Sequence, residues 1–167
     1  MVEGKTEETS KNSPEMFGQM ELTPDKLTEE AIKALVDSQE VARRLHTAYI
    51  GTEHILLGLL GKQNSASGIL DSLGVDEKKV INATELISSR GDRPVQTQIN
   101  PTPRSNQVLF QAFVSARNRN SLVGAEDLLF ALASESDGFA GGVLDAMSAT
   151  PEKIRSAFPE PSSVQTA

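Results

Sequence analysis

Several features that support common protein functions are missing from this sequence. It contains no cysteine, which excludes disulfide bonds, zinc–thiolate sites and catalysis by a thiol. Aromatic residues make up only 4% of the 167 residues, with no tryptophan and a single tyrosine. The 38% of hydrophobic residues are therefore mostly aliphatic, and a core of that kind favours packed helices over a β-sandwich.

An excess of positive charge is also missing. The net charge of −7 argues against a nucleic-acid-binding surface, which needs clustered lysine and arginine. No apolar run reaches the roughly 18 residues that a membrane-spanning helix needs, so no membrane span is predicted. The N-terminus has neither the apolar core of a secretory signal nor the arginine-rich character of a transit peptide. Together with the missing cysteines, these features predict a cytoplasmic protein.

Polar segments lie at both ends of the chain. Residues 1–22 and 159–167 contain too few apolar side chains to offset the entropy lost on ordering, so we expect disordered tails there. The folded region is predicted to be residues 23–158.

The folded region contains an internal repeat. Thr28 matches Thr102 at a spacing of 74 residues, and the stretch that begins at Gly51 matches the stretch that begins at Gly124, 73 residues later. A pattern shared over most of each half predicts two similar units about a pseudo-twofold axis. The predicted parts are repeat one at 27–89, a linker at 90–100 that carries Gly91 and Pro94, and repeat two at 101–158, which begins with Pro101.

Each repeat has the pattern of four helices. Thr28 is a natural N-cap for a first helix whose small and apolar residues recur at helical spacing up to Leu45. Thr52 is the expected N-cap of a second helix at 53–60, and Asp76 is the expected N-cap of a fourth. The third and fourth helices are predicted at about 65–73 and 76–88, so the fold class is all-α with two four-helix repeats.

Three stretches carry a specific resemblance. They are Leu27-Thr28-Glu29-Glu30-Ala31, the run Tyr-Ile-Gly-Thr-Glu-His-Ile-Leu-Leu-Gly-Leu-Leu at 49–60, and Pro101-Thr102-Pro103-Arg104. Residues 24–158 thereby resemble the Clp repeat of the N-terminal domain of Clp/Hsp100 unfoldases. Met16-Phe17-Gly18 and the start of the second repeat are similar to the ClpC branch, whereas residues 24–29 are similar to ClpB openings, so the branch stays open.

The family normally carries one or two ATPase modules after this domain. No Gly-x-x-x-x-Gly-Lys-Ser/Thr phosphate loop occurs in the sequence, so we expect a stand-alone N-terminal domain.

The resemblance implies a binding site in each repeat. ClpC-type domains bind adaptors and, in some members, phosphorylated arginine, for which a helix N-terminus holds the phosphate and a carboxylate pairs with the guanidinium. Carried onto this sequence, Thr28 and Glu53 form one site, and Thr102 and Glu126 form the second. The alternative is that both threonines are ordinary N-caps and both glutamates ordinary first-turn acids.

Two aligned positions distinguish the two copies. Glu30 stands where the ClpC pattern has a basic residue, and a carboxylate there repels phosphate, whereas Arg104 keeps the basic residue in the second copy. Ala125 stands where a capping threonine is expected, which predicts a less firmly fixed second helix in that copy.

The sequence shows no recognisable catalytic or metal-binding pattern. His46 and His54 lie eight residues apart without cysteine, which is not a metal-binding spacing, and no nucleophile–base pair stands out. We therefore predict no metal, no cofactor and no enzyme activity.

The resemblance leads to a prediction of function. We expect a non-enzymatic accessory of a Clp protease or unfoldase that binds adaptors, substrate proteins, or Clp ATPase or peptidase subunits. The alternatives are a structural stabiliser of the Clp peptidase core and a decoy that captures ligands of the full-length unfoldase.

Overall fold

The computed structural model describes residues 23–88 and 99–159, which form eight α-helices and little else. The elements are a 3₁₀ helix at Pro24–Lys26, α1 at Glu29–Arg44, β1 at Tyr49–Ile50, α2 at Thr52–Leu59, α3 at Ser65–Ser72, α4 at Glu77–Ile87, β2 at Asn100–Pro101, α5 at Pro103–Asn118, α6 at Ala125–Ser134, α7 at Phe139–Ala146 and α8 at Pro151–Ser156. The predicted all-α class with four helices in each repeat is confirmed. The predicted tail at 1–22, and most of the predicted linker at 90–100 and tail at 159–167, lie outside the described residues, so the domain boundaries stay predictions.

The backbone repeats as the sequence does. Helices α1 and α5 both contain 16 residues and start 74 positions apart. Two residues after each helix, the backbone is left-handed, at His46 with φ 56° and at Asn120 with φ 53°, again 74 positions apart. In both copies the N–H of the following residue bonds back to a carbonyl in the last turn of the helix, which closes the helix end. The two halves are therefore copies of one structural unit.

The two long helices are capped as the sequence predicts. The Thr28 hydroxyl accepts the N–H of Ala31 at 3.1 Å, and the Thr102 hydroxyl accepts the N–H of Ser105 at 3.0 Å. A cap of this kind stabilises a helix by about 1 kcal/mol.

Short parallel bridges connect the repeats at the start of each long helix. Thr102 donates its N–H to the carbonyl of Ile50 at 3.0 Å, where β1 and β2 pair in parallel. Thr28 donates its N–H to the carbonyl of Val123 at 2.9 Å, beside the matching bridge between Leu27 and Val123. Each long helix therefore starts against the other repeat, with α5 beside the start of α2 and α1 beside the start of α6.

One hydrophobic core runs through both repeats, with α2 and α6 among its most buried elements. Helix α1 approaches α2 closely at Gly58, where an added Cβ atom would lie 2.5 Å from the carbonyl oxygen of Ala34 and 2.8 Å from the backbone nitrogen of Ser38. The contact is therefore between the two backbones. No helix in the described part of the chain is long and apolar enough to cross a membrane.

Candidate ligand-binding cleft

Three helix N-termini meet at a cleft of about 530 Å³ between the repeats. Glu53 at the start of α2, Thr102 and Arg104 at the start of α5, and Gly138 and Phe139 at the start of α7 line it. Helix N-termini carry a partial positive charge and unpaired N–H groups. The fold therefore gives the cleft a local preference for anions at its helix ends. We call it the Glu53 cleft.

Glu53 is a buried carboxyl group in this cleft, with only 5% of its surface exposed. It lies so close over Gly51 that an added Cβ atom there would be 2.6 Å from its Oε1 atom. Within the described ranges, no lysine or arginine nitrogen lies within 4.0 Å of it; the Nε2 atom of His54 is 3.8 Å from its Oε2 atom. Burial raises the pKa of Glu53. The cleft thus holds a desolvated acid without a cationic partner.

His54 does not supply that partner. Its Nδ1 atom accepts the N–H of Gly51 at 2.8 Å, which places the ring proton on Nε2. The ring is completely buried, and burial lowers its pKa to about 4, so His54 is neutral at pH 7. His54 therefore caps α2 from its third position. The predicted cap at Thr52 is wrong, because Gly51 occupies the N-cap position and Thr52 is the first helical residue.

The α5 side of the cleft is basic. Arg104 keeps its guanidinium partly exposed, with 43% of the side chain accessible, and pairs with Glu135 at 2.8 Å. Its side-chain carbon Cδ passes within 3.0 Å of the place where a Cβ atom of Gly138 would lie, so Gly138 leaves room for it. Thr102 uses its hydroxyl to cap α5 and to donate to Ser105 at 3.0 Å. A buried carboxyl and a partly exposed arginine that pairs with Glu135 therefore face the same space, which Asp137 also lines.

The repeat-related carboxylate, Glu126, has a different environment. Its Oε1 atom accepts the hydroxyl of Ser65 at 2.5 Å, and its Oε2 atom is 3.2 Å from Nη2 of Arg119. The same Nη2 atom lies 2.7 Å from Asp127, which stands in the position of His54 and accepts the N–H of Gly124 at 2.9 Å. We call Glu126, Ser65, Arg119 and Asp127 the Glu126 cluster.

Helix α6 is capped although Ala125 replaces the threonine. Burial raises the pKa of Asp127, while the bonds from Gly124 and Ser115 and the charge of Arg119 act in the opposite direction. The side chain of Asp127 caps α6 as His54 caps α2, so the expectation that Ala125 loosens this helix is wrong.

The pairing of the predicted site residues also needs correction. Glu53 shares its cleft with Thr102, not with Thr28. Thr28 caps the start of α1 and is not among the residues that line the Glu53 cleft. Thr28 is instead bonded to Val123, three residues before Glu126. Whether these four residues bind a ligand stays a prediction.

Sequence reasoning missed Ser65, Arg119 and Asp127. A signal for two of them was present, because Arg119 occupies the position of Leu45 and Asp127 that of His54 in the aligned repeats. The exchange of leucine for arginine adds a cation and the exchange of histidine for aspartate adds an anion. Opposite charges gained together only eight residues apart indicate an ion pair. No comparable signal marked Ser65.

The amino-acid sequence matches a known protein family. The pattern of the Clp repeat (R) N-terminal domain family matches residues 26–147 and 100–163. The chloroplastic chaperone protein ClpC2 of Arabidopsis thaliana is 40% identical over 133 residues, and its namesake in Oryza sativa subsp. japonica is 39% identical over 133 residues. Each match covers 78% of this chain but only 14% of the relative, so the chain spans about one seventh of the length of these chaperones.

Solved structures give the same fold. The N-terminal domain of the chaperone ClpD from Arabidopsis thaliana superposes with a TM-score of 0.63 and 25% identity, covering 84% of this chain and 95% of that one. The N-terminal domain of the ClpV1 ATPase from E. coli gives a TM-score of 0.65 at 17% identity, covering 89% of each chain, and this second likeness concerns the fold alone.

Proposed function

Because the chain belongs to the Clp repeat (R) N-terminal domain family, we propose that it serves a Clp protease or unfoldase system as a non-enzymatic binding module. N-terminal domains of Clp/Hsp100 chaperones bind adaptors and substrates. The ligand proposed here is a protein marked by phosphoarginine, or an adaptor that presents the same charges. The cytoplasmic location stays a prediction, and the relatives above are chloroplastic by name.

The observation that carries this proposal is the uncompensated carboxyl of Glu53 in the cleft. A guanidinium presents planar N–H donors that match a carboxylate, and such charge-assisted pairs are the stronger hydrogen bonds in proteins. A ligand of that kind would supply the cation that Glu53 lacks and lower its pKa.

The basic side of the cleft supports the other half of the ligand. The start of α5 attracts an anion, because helix N-termini bind phosphate readily. A phosphate there would share the guanidinium of Arg104 with Glu135. Phosphoarginine carries the phosphate directly on the guanidinium, so both charges fall within one side chain. Arginine alone and phosphate alone each satisfy only one side of the cleft.

Titration calorimetry with free phosphoarginine tests the proposal on the whole chain. Wild type is expected to bind, and Glu53→Ala to bind at least 30-fold more weakly, since removing one member of a buried charge pair costs about 2–5 kcal/mol. Glu85→Ala is the matched control, because Glu85 is an exposed glutamate on α4 outside the cleft. Equal affinity for wild type and Glu53→Ala, or no binding by wild type, would refute the proposal.

A docking role independent of the cleft is a second candidate. Val36 on α1 and Phe110 on α5 occupy repeat-related positions and are 49% and 50% exposed. In this second candidate, these two outer side chains, and not the cleft, would contact a Clp ATPase or peptidase subunit. In a pull-down from native lysate, Clp subunits recovered equally by wild type and Glu53→Ala/Glu126→Ala favour docking. Phosphorylated clients or an adaptor recovered only by wild type favour the cleft.

A further inference from the structure

The two repeats do not offer equivalent sites, because the chain supplies its own charges at one of them. In the Glu53 cleft, the carboxyl has no cationic partner among the described residues, and Arg104 at the helix start stays 43% exposed although it pairs with Glu135. Asp137 also lines this cleft. At the Glu126 cluster and beside it, two residues of opposite charge, Arg119 and Glu30, occupy the corresponding places.

The cation at the cluster is Arg119. Its guanidinium contacts both Glu126 and Asp127, only 13% of the side chain is exposed, and its Cζ atom lies 4.8 Å from the ring centroid of Phe158. Its counterpart in the first repeat is Leu45, which carries no charge. Arg119 therefore stands where the guanidinium of a ligand would pair with the second carboxylate.

A further anion, Glu30, contacts the Glu126 cluster through Ser65. Its Oε1 atom accepts the N–H of Ser65, the first residue of α3, at 3.0 Å. The hydroxyl of the same serine is bonded to Glu126, so Ser65 links the two charges. The counterpart of Glu30 is Arg104, which lines the Glu53 cleft. A carboxylate thus occupies the helix N-terminus that would otherwise be free for a phosphate.

We propose that the Glu126 site is filled from within, with Arg119 in the guanidinium position and Glu30 in the phosphate position. The chain then presents one open site per molecule, the Glu53 cleft. This inference rests on the proposed function for the identity of the ligand, but the internal filling is a property of the chain itself.

Calorimetry measures the number of sites directly. Phosphoarginine is expected to bind wild type with a stoichiometry of one; Glu53→Gln is expected to weaken binding at least tenfold, and Glu126→Gln to change it less than twofold. Transplanting Arg119 together with Asp127, the acid that holds it, by Leu45→Arg/His54→Asp is expected to abolish binding. Two sites in wild type, or binding lost in Glu126→Gln and kept in Glu53→Gln, would overturn the inference while leaving a binding function in place.

The filling can also be tested without phosphoarginine. Arg119→Ala removes the internal guanidinium, and millimolar ethylguanidinium is expected to raise its melting temperature by more than it raises that of wild type, because a ligand that binds only the folded state stabilises it. Ethylammonium is the control ligand, because it carries the same charge but lacks the planar guanidinium group. If wild type binds no phosphoarginine, the proposed function fails, and this rescue still decides whether Arg119 fills a guanidinium site. An equal shift for both proteins would refute the filling.

Discussion

Replacing Gly58 with alanine is expected to lower the free energy of unfolding by about 2 kcal/mol. The added Cβ atom would lie 2.5 Å from the carbonyl oxygen of Ala34, whereas an ordinary contact is at least 3.4 Å, so α1 and α2 must separate. Overpacking of this kind costs about 1–3 kcal/mol, and the upper end applies because backbone atoms cannot rotate away. The better helix propensity of alanine returns up to about 1 kcal/mol.

The assay is thermal and urea unfolding followed by circular dichroism. A loss of about 2 kcal/mol corresponds to a melting temperature lower by about 7 °C in a domain of this size. Gly68→Ala is the matched control, because a Cβ atom at this helical glycine of α3 meets nothing within 4 Å, and its stability is expected to rise slightly. If Gly58→Ala melts at or above wild type with an unchanged urea slope, the close approach of the two helices is refuted.

Three further predictions concern single side chains. The free energy of unfolding is expected to fall by about 3 kcal/mol as the pH drops from 6.5 to 4, because His54 is protonated at a higher pH in the unfolded chain than in the folded one. The measurement is urea unfolding of wild type and of His54→Gln over this pH range. The difference between the two proteins separates the contribution of His54 from that of the acids whose pKa is raised. Arg119→Met is expected to lower stability by about 3–5 kcal/mol in urea unfolding, since it leaves the buried Glu126 and Asp127 without their cation, and a loss below 1 kcal/mol would contradict the ion pairs. Thr28→Ala is expected to cost about 1 kcal/mol in thermal unfolding and Thr28→Ser almost nothing, so equal losses in the two variants would argue against capping.

The helices could be predicted because their signals are local. The predicted second helix at 53–60 is observed as Thr52–Leu59, and the predicted fourth at 76–88 as Glu77–Ile87. Apolar residues at helical spacing and capping side chains such as Asp76, whose carboxylate accepts the N–H of Lys78 at 3.0 Å, determine these boundaries within the neighbouring turn.

The bridges between the repeats could not be predicted in the same way. A two-residue strand such as Tyr49–Ile50 is too short to show alternation of apolar and polar residues. The predicted pairing of Glu53 with Thr28 was wrong because it depended on how the two repeats contact each other. Aligning the repeats shows that Glu53 corresponds to Glu126. It does not show that the pseudo-twofold arrangement of the repeats brings Glu53 to the start of α5, in the other repeat.

The charges of the second site depended on contacts between residues distant in sequence. Ser65 and Glu126 are 61 positions apart and meet only because α3 packs on α6. Arg119 and Glu126 are close in sequence, yet a loop residue beside an acid is common on protein surfaces. Only the three-dimensional structure shows that this pair is buried.

The bridges that join each long helix to the opposite repeat also suggest how such a chain could originate. A polypeptide carrying one repeat would leave the N–H at its first cap and the carbonyl before its second helix unpaired, and a second copy related by a twofold axis would satisfy both. Gene duplication and fusion would then turn a homodimer that depends on concentration into one chain with its halves permanently associated. After fusion the two repeats can also diverge in sequence, so that one repeat keeps Leu45 while the other acquires Arg119 at the corresponding position.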